Sequence, residues 1–97
     1  MTHVNGWTFL TNHAVVMLMI WREPDLTVRG IAERVGITER AVQRILAELE
    51  SAGYLMRQRI GRRSQYTINA GQNLRHQALT HIELAKLLDA LDPRPVS

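Results

Sequence analysis

A chain of 97 residues is the size of one ordinary domain, and 45% apolar with 22% charged residues suits a modest core rather than a disordered tract. The absence of cysteine excludes a disulfide framework, a thiolate metal site and a cysteine nucleophile. The longest apolar run, Ala14 to Trp21, has eight residues, against the roughly 20 of a membrane-spanning helix; with no secretory signal pattern ahead of it, a cytoplasmic protein without membrane association is expected.

After an N-terminal extension holding Trp7, Phe9 and Leu10, Thr11 or Asn12 can cap a first helix that runs to about Arg22 and stops before Pro24. Its apolar residues cover most of the circumference, the pattern of a helix buried on more than one side or against a second subunit. Thr27 can cap a second helix, Val28 to Val35, whose Ile31, Ala32 and Val35 form an inward stripe and whose end is marked by Gly36. Thr38 can cap a third helix to about Ala52, with Val42, Ile45, Leu46 and Leu49 spaced along one buried face and Gly53 as its stop. Tyr54 to Ile60 and Gln65 to Ile68, separated by Gly61-Arg62-Arg63-Ser64, read as a β-hairpin. A final helix is expected from about Leu74 to Leu91, with a wider apolar surface than one face of a small domain requires, and a loose tail over 93–97.

The net charge of +3 is modest, but its distribution is uneven. From Ser51 to Thr80 there are five arginines (Arg57, Arg59, Arg62, Arg63, Arg75) and no acid, leaving seven bases against nine acids elsewhere. Counterion release depends on locally clustered cations, so the segment points to a polyanion partner, with a solvated basic surface as the alternative.

The second and third helices are joined by too few residues to lie antiparallel, so they must cross steeply, as in a helix-turn-helix. Small Ala32 lets the two helices approach, Gly36 permits a left-handed turn, and Val42 and Ile45 fill the angle between them. The run Ile31-Ala32-Glu33-Arg34-Val35-Gly36-Ile37-Thr38-Glu39-Arg40-Ala41-Val42-Gln43-Arg44-Ile45-Leu46, followed by Leu49-Glu50-Ser51-Ala52-Gly53-Tyr54-Leu55, resembles the winged helix-turn-helix regulators of the MarR and ArsR type. The resemblance runs from about Thr11 to Ile68. It implies a mainly α fold with a small β-hairpin, a third helix that enters the DNA major groove, and a hairpin wing along the backbone or minor groove. The expected organisation is a winged helix-turn-helix with its N-terminal extension over 1–70, a C-terminal dimerisation helix over 71–92, and the tail.

The residues agree with those roles. Glu39, Arg40, Gln43 and Arg44 lie opposite the buried stripe near the start of the third helix. Arginine can make two hydrogen bonds to guanine and glutamine two to adenine, and Glu39 can accept from cytosine. An ordinary solvated helix face is the alternative. Strand alternation puts Arg57 and Arg59 on one face and Met56, Gln58 and Ile60 on the other, with Arg62 and Arg63 at the tip. Tip arginines suit a narrow minor groove or phosphates, although charge also protects strand edges. Thr38, Ser64 and Gln65 are lesser phosphate-contact candidates. The resulting expectation is a transcriptional regulator that binds double-stranded DNA as a homodimer, on a palindrome with half-sites about one helical turn apart.

Other classes fit the residues less well. No glycine-rich phosphate loop with lysine, nucleophile elbow or HExxH pattern is present, so no enzyme and no cofactor are expected. His76, His81 and Glu83 fall on the expected last helix, but the two histidines are spaced onto different faces and no metal is expected. A small effector cleft of Trp7, Phe9, Trp21 and the last helix competes with plain aromatic core or dimer packing, and ligand-independent action is the preferred reading. The serious rival to DNA binding is a protein-interaction module, which should expose aliphatic or aromatic anchors where the third helix instead carries polar and arginine side chains.

Overall fold

Three threonines start the first three helices by the same device. In the computed structural model, which describes residues 8–93, the hydroxyl oxygens of Thr11, Thr27 and Thr38 accept from the N–H groups of Ala14, Gly30 and Ala41 at 3.3, 3.0 and 3.0 Å. Each satisfies an amide that the first helical turn would leave unpaired. The helices are α1 (Asn12–Arg22), α2 (Val28–Val35) and α3 (Glu39–Ser51). Pro24 follows directly on the end of α1, where it cannot donate a helical hydrogen bond.

The turn between α2 and α3 is made at Gly36, which takes φ 83°. The N–H groups of Gly36 and Ile37 both return to the Ala32 carbonyl, at 2.8 and 3.1 Å, closing the end of α2 while reversing the chain direction. α3 closes similarly, with Tyr54 N–H on Leu49 O and Gly53 N–H on Glu50 O, both at 3.0 Å. The helices pack around Val16, Ile20, Ile31, Val42, Ile45 and Leu46, all nearly inaccessible. Each such side chain contributes about 1.5–3 kcal/mol by leaving water. Among the described residues no polar or charged side chain is buried with them.

Strands β1 (Leu55–Ile60) and β2 (Arg63–Ile68) pair antiparallel, from Leu55 opposite Ile68 to Ile60 opposite Arg63. The connection is two residues, Gly61 and Arg62, so Arg63 and Ser64, read as turn from the sequence, belong to β2. A two-residue hairpin needs positive φ at its first central position to match the strand twist, and Gly61 supplies it at φ 63°. The fold is a winged helix-turn-helix: mainly helical, with a two-stranded hairpin as the wing.

The long last helix is corrected. Only α4 (Leu84–Leu91) is helical in the expected span Leu74–Leu91, apart from a single 3-10 turn over Gln77–Leu79. The backbone before it is committed to other partners. Leu74 N–H donates to Ile82 O at 2.9 Å, Arg75 N–H to the Tyr54 hydroxyl at 2.6 Å, and the Asn73 amide to Thr80 O. The His76 ring accepts from Ala78 N–H at 3.1 Å, a local bond that competes with helix. This loop brings Leu74 against the core. α4 then adds buried Leu84 and Leu88 and fastens to α1: the Trp21 indole donates to Asp92 O at 3.2 Å and Arg22 Nε to the Asp92 carboxylate at 2.8 Å. The tail residues 94–97 lie outside the described residues.

Candidate nucleic-acid interface

The interface candidates sit on α3 and on the hairpin that follows it. α3 buries Val42, Ile45, Leu46 and Leu49 and exposes Glu39, Arg40, Gln43 and Arg44. Turning each residue through one helical step puts Arg40, Arg44, Ala47 and Ser51 directly opposite the buried stripe. Gln43 and Glu39 fall to one flank. Ala47 was not singled out from the sequence, yet it is exposed on the centre line one turn after Arg44. The helical period alone was enough to find it. A small side chain there lets the helix backbone approach a groove floor, and alanine can pack against a thymine methyl group.

The two arginines of this face are held differently. Arg40 has no carboxylate partner among the described residues, whereas Arg44 lies 3.7 Å from Glu48, one turn further along. The same Glu48 oxygen also meets the His13 ring at 2.7 Å, so α1 and α3 share this acid. A pair this exposed is worth little and exchanges readily for water or another anion. Thr38 spends a lone pair of its hydroxyl on capping α3, which leaves its O–H free to donate.

On the hairpin, the register puts Arg57 and Arg59 on the face that also carries Leu55, Ser64, Tyr66 and Ile68, and Met56, Gln58 and Ile60 on the face of Arg63, Gln65 and Thr67. Near its base the Arg57 face packs on the core through Leu55 and Tyr66, while both arginines are exposed. Arg62 occupies the turn and Arg63 the first position of β2, in the pair with Ile60 that closes the turn. Ser64 is exposed and Gln65 half-buried. No ion pair joins Arg57, Arg59, Arg62 or Arg63 to a carboxylate among the described residues. By contrast, Arg34 of α2 binds Glu23, and that hydrogen bond holds the Glu23 carboxyl below its usual range and raises the Arg34 guanidinium. Arg29, also overlooked in the sequence, stands exposed near the start of α2, 3.8 Å from Glu33.

The remaining sequence candidates separate. His76 caps the 3-10 turn, His81 is exposed, and Glu83 precedes α4, so none of the three lies in a helix as expected. The Trp7, Phe9 and Trp21 cleft does not form among the described residues: Trp7 lies outside them, Phe9 is 93% exposed, and Trp21 is partly buried against the core. The physical reason is that Trp21 is drawn to the end of α4 while Phe9 lies before the start of α1, one helix length away. Among the described residues no helix is long and apolar enough to cross a membrane.

Residues 16–56 match the family described as winged helix-turn-helix DNA-binding. The match begins inside α1, takes in α2, the Gly36 turn and α3, and ends on the second residue of β1. The wing arginines lie beyond it. A comparison with curated proteins finds no relative for the chain. The match and the fold together support DNA binding by this winged helix-turn-helix.

Proposed function

We propose that this chain is a sequence-specific transcriptional regulator that reads duplex DNA with α3 and grips it with the hairpin. The observation that carries the reading is the pairing of an exposed, arginine-centred α3 face with a wing whose four arginines have no carboxylate partner among the described residues. In this reading Arg40, Gln43 and Arg44 meet base edges, Glu39 reaches a flanking cytosine, and Ala47 allows close approach. Arg57, Arg59, Arg62 and Arg63, with Thr38, Ser64 and Gln65, hold phosphates or a narrow minor groove. Arg29 at the start of α2 adds a backbone contact, as the first helix of such a motif crosses the phosphates. The regulatory role rests on the resemblance to MarR and ArsR regulators, and a place in the cytoplasm belongs to the same reading, with the DNA it would bind.

A homodimer on a palindrome belongs to the same proposal. Its support is narrower than the sequence suggested, because Leu74, Leu84 and Leu88 are spent on the core. Leu79 and Leu91 remain 39% and 40% exposed. Sedimentation at micromolar concentration that finds only an 11.1 kDa species rejects the dimer.

The test of DNA reading starts by selecting bound duplexes from a random pool, then titrates variants against selected and scrambled duplexes at several salt concentrations. Arg40→Ala or Arg44→Ala should cost about 1–3 kcal/mol on the selected site and relax preference at one position. Arg62→Ala or Arg63→Ala should weaken both duplexes and lower the salt slope by about one per lost phosphate contact. Unchanged binding after removing Arg40 and Arg44 together refutes the α3 assignment and favours a protein-interaction module.

A further inference from the structure

A cleft of about 410 Å³ opens between the α1–α2 connection and β2, and no residue of α3 lines it. Its floor is apolar, from the buried core residues Ile20 and Ile31. Leu26 and Val28 form one wall and Ile60 and Tyr66 the other. Ile60 is 57% exposed, so the cleft presents apolar surface that the described residues leave uncovered.

The polar groups of the cleft are as specific as its floor. Asp25 lines it from the α1–α2 connection and Arg63 from the first position of β2. Both are exposed, and neither is ion-paired with any described residue. β2 pairs with β1 alone, and among the described residues no backbone hydrogen bond from residues 24–27 reaches its outer edge. That edge therefore offers backbone donors and acceptors beside the charges.

An occupant that suits this lining has a short apolar body and carries both an anionic and a cationic group. A zwitterion answers both charges, whereas a simple carboxylic acid leaves Asp25 without a partner and a simple amine leaves Arg63 without one. The volume lies within the roughly 300–1,000 Å³ range of small-molecule sites. We propose that this cleft binds a free apolar α-amino acid, its carboxylate on Arg63, its ammonium on Asp25 and its side chain over Ile20, Ile31 and Ile60.

Arg63 also belongs to the proposed DNA-holding set, so a bound amino acid removes one wing cation from the duplex. By linkage the two ligands then weaken one another by the same factor. This coupling rests on the DNA-binding reading, whereas the site itself does not.

The full chain, labelled with 15N, is titrated with L-leucine, L-methionine and L-phenylalanine at millimolar concentration, and with 4-methylpentanoate and 3-methylbutylamine as single-charge controls. The expected result is saturable shifts confined to residues 24–28 and 60–66. Asp25→Asn and Arg63→Gln, both at exposed positions, should each weaken binding by about tenfold, a loss that corresponds to one charged contact. Circular dichroism verifies that both variants are folded. Absence of saturable binding by any of the amino acids overturns the proposal, as does equal binding of either single-charge control. Duplex titration with and without the amino acid then separates the two readings. Weaker duplex binding in its presence supports the coupling. Unchanged duplex affinity overturns the coupling and leaves the amino-acid site standing, and a chain that takes the amino acid but no duplex tells against the DNA-binding reading alone.

Discussion

Replacing Gly36 by alanine isolates the conformational demand of the turn between α2 and α3. The glycine sits at φ 83°, and a Cβ built there meets nothing within 4 Å, so no steric clash contributes. The left-handed region costs an L-residue about 1–2 kcal/mol. Alanine recovers about 0.4–1 kcal/mol by restricting the unfolded chain. The net expectation is a loss of about 1 kcal/mol, which for a domain of this size lowers Tm by about 4–8 °C. Asparagine tolerates this backbone region better, so Gly36→Asn should lose less than Gly36→Ala. Urea denaturation followed by circular dichroism measures both, and the midpoint should move with the slope unchanged. An alanine variant as stable as the parent, or an asparagine variant less stable than the alanine one, would refute the reasoning, because either result is incompatible with a left-handed residue in open space.

Truncating the residue that fills the helix crossing should cost more: Ile45→Ala, at a site 1% exposed, is expected to lose about 2–5 kcal/mol in the same denaturation experiment, and a loss under 1 kcal/mol would place Ile45 outside the core. Glu48→Gln removes an acid from the edge of the α3 face and releases Arg44 from its 3.7 Å pair; duplex affinity at low salt should rise and the salt slope should steepen by up to about one, read by fluorescence anisotropy. Because Arg34 depresses the Glu23 carboxyl, their pair stabilises the fold above the usual glutamate range, and that contribution disappears as pH falls through the depressed value. The stability gap between the parent and Glu23→Gln should therefore close in acid, and a gap independent of pH would show that the pair does not carry it.

Helices α1 to α3 were legible in the sequence because each is specified locally. A threonine cap, an apolar pattern at helical spacing and a Pro24, Gly36 or Gly53 stop lie within one short segment, and the physics that reads them is equally short-range. The exposed α3 face proposed for DNA followed from the same periodicity, which places Arg40 and Arg44 opposite Val42 and Ile45 whatever the rest of the chain does. Two other features needed the folded molecule. Residues 74–83 are rich in helix-compatible apolar positions, but the Tyr54 hydroxyl and the Ile82 carbonyl, distant or awkward in sequence, take the amides of Arg75 and Leu74 and keep the segment out of helix. The partners of charged groups were equally hidden. That Glu48 is shared by His13 and Arg44, and that Arg63 and Asp25 line one apolar cleft, depends on how α1 packs against α3 and how the hairpin lies beside the α1–α2 connection. Capping and periodicity are properties of neighbouring residues, so the sequence by itself determined the helix-turn-helix; the loop, the ion pairs and the cleft arise between segments far apart in the chain, and only the tertiary structure decided them.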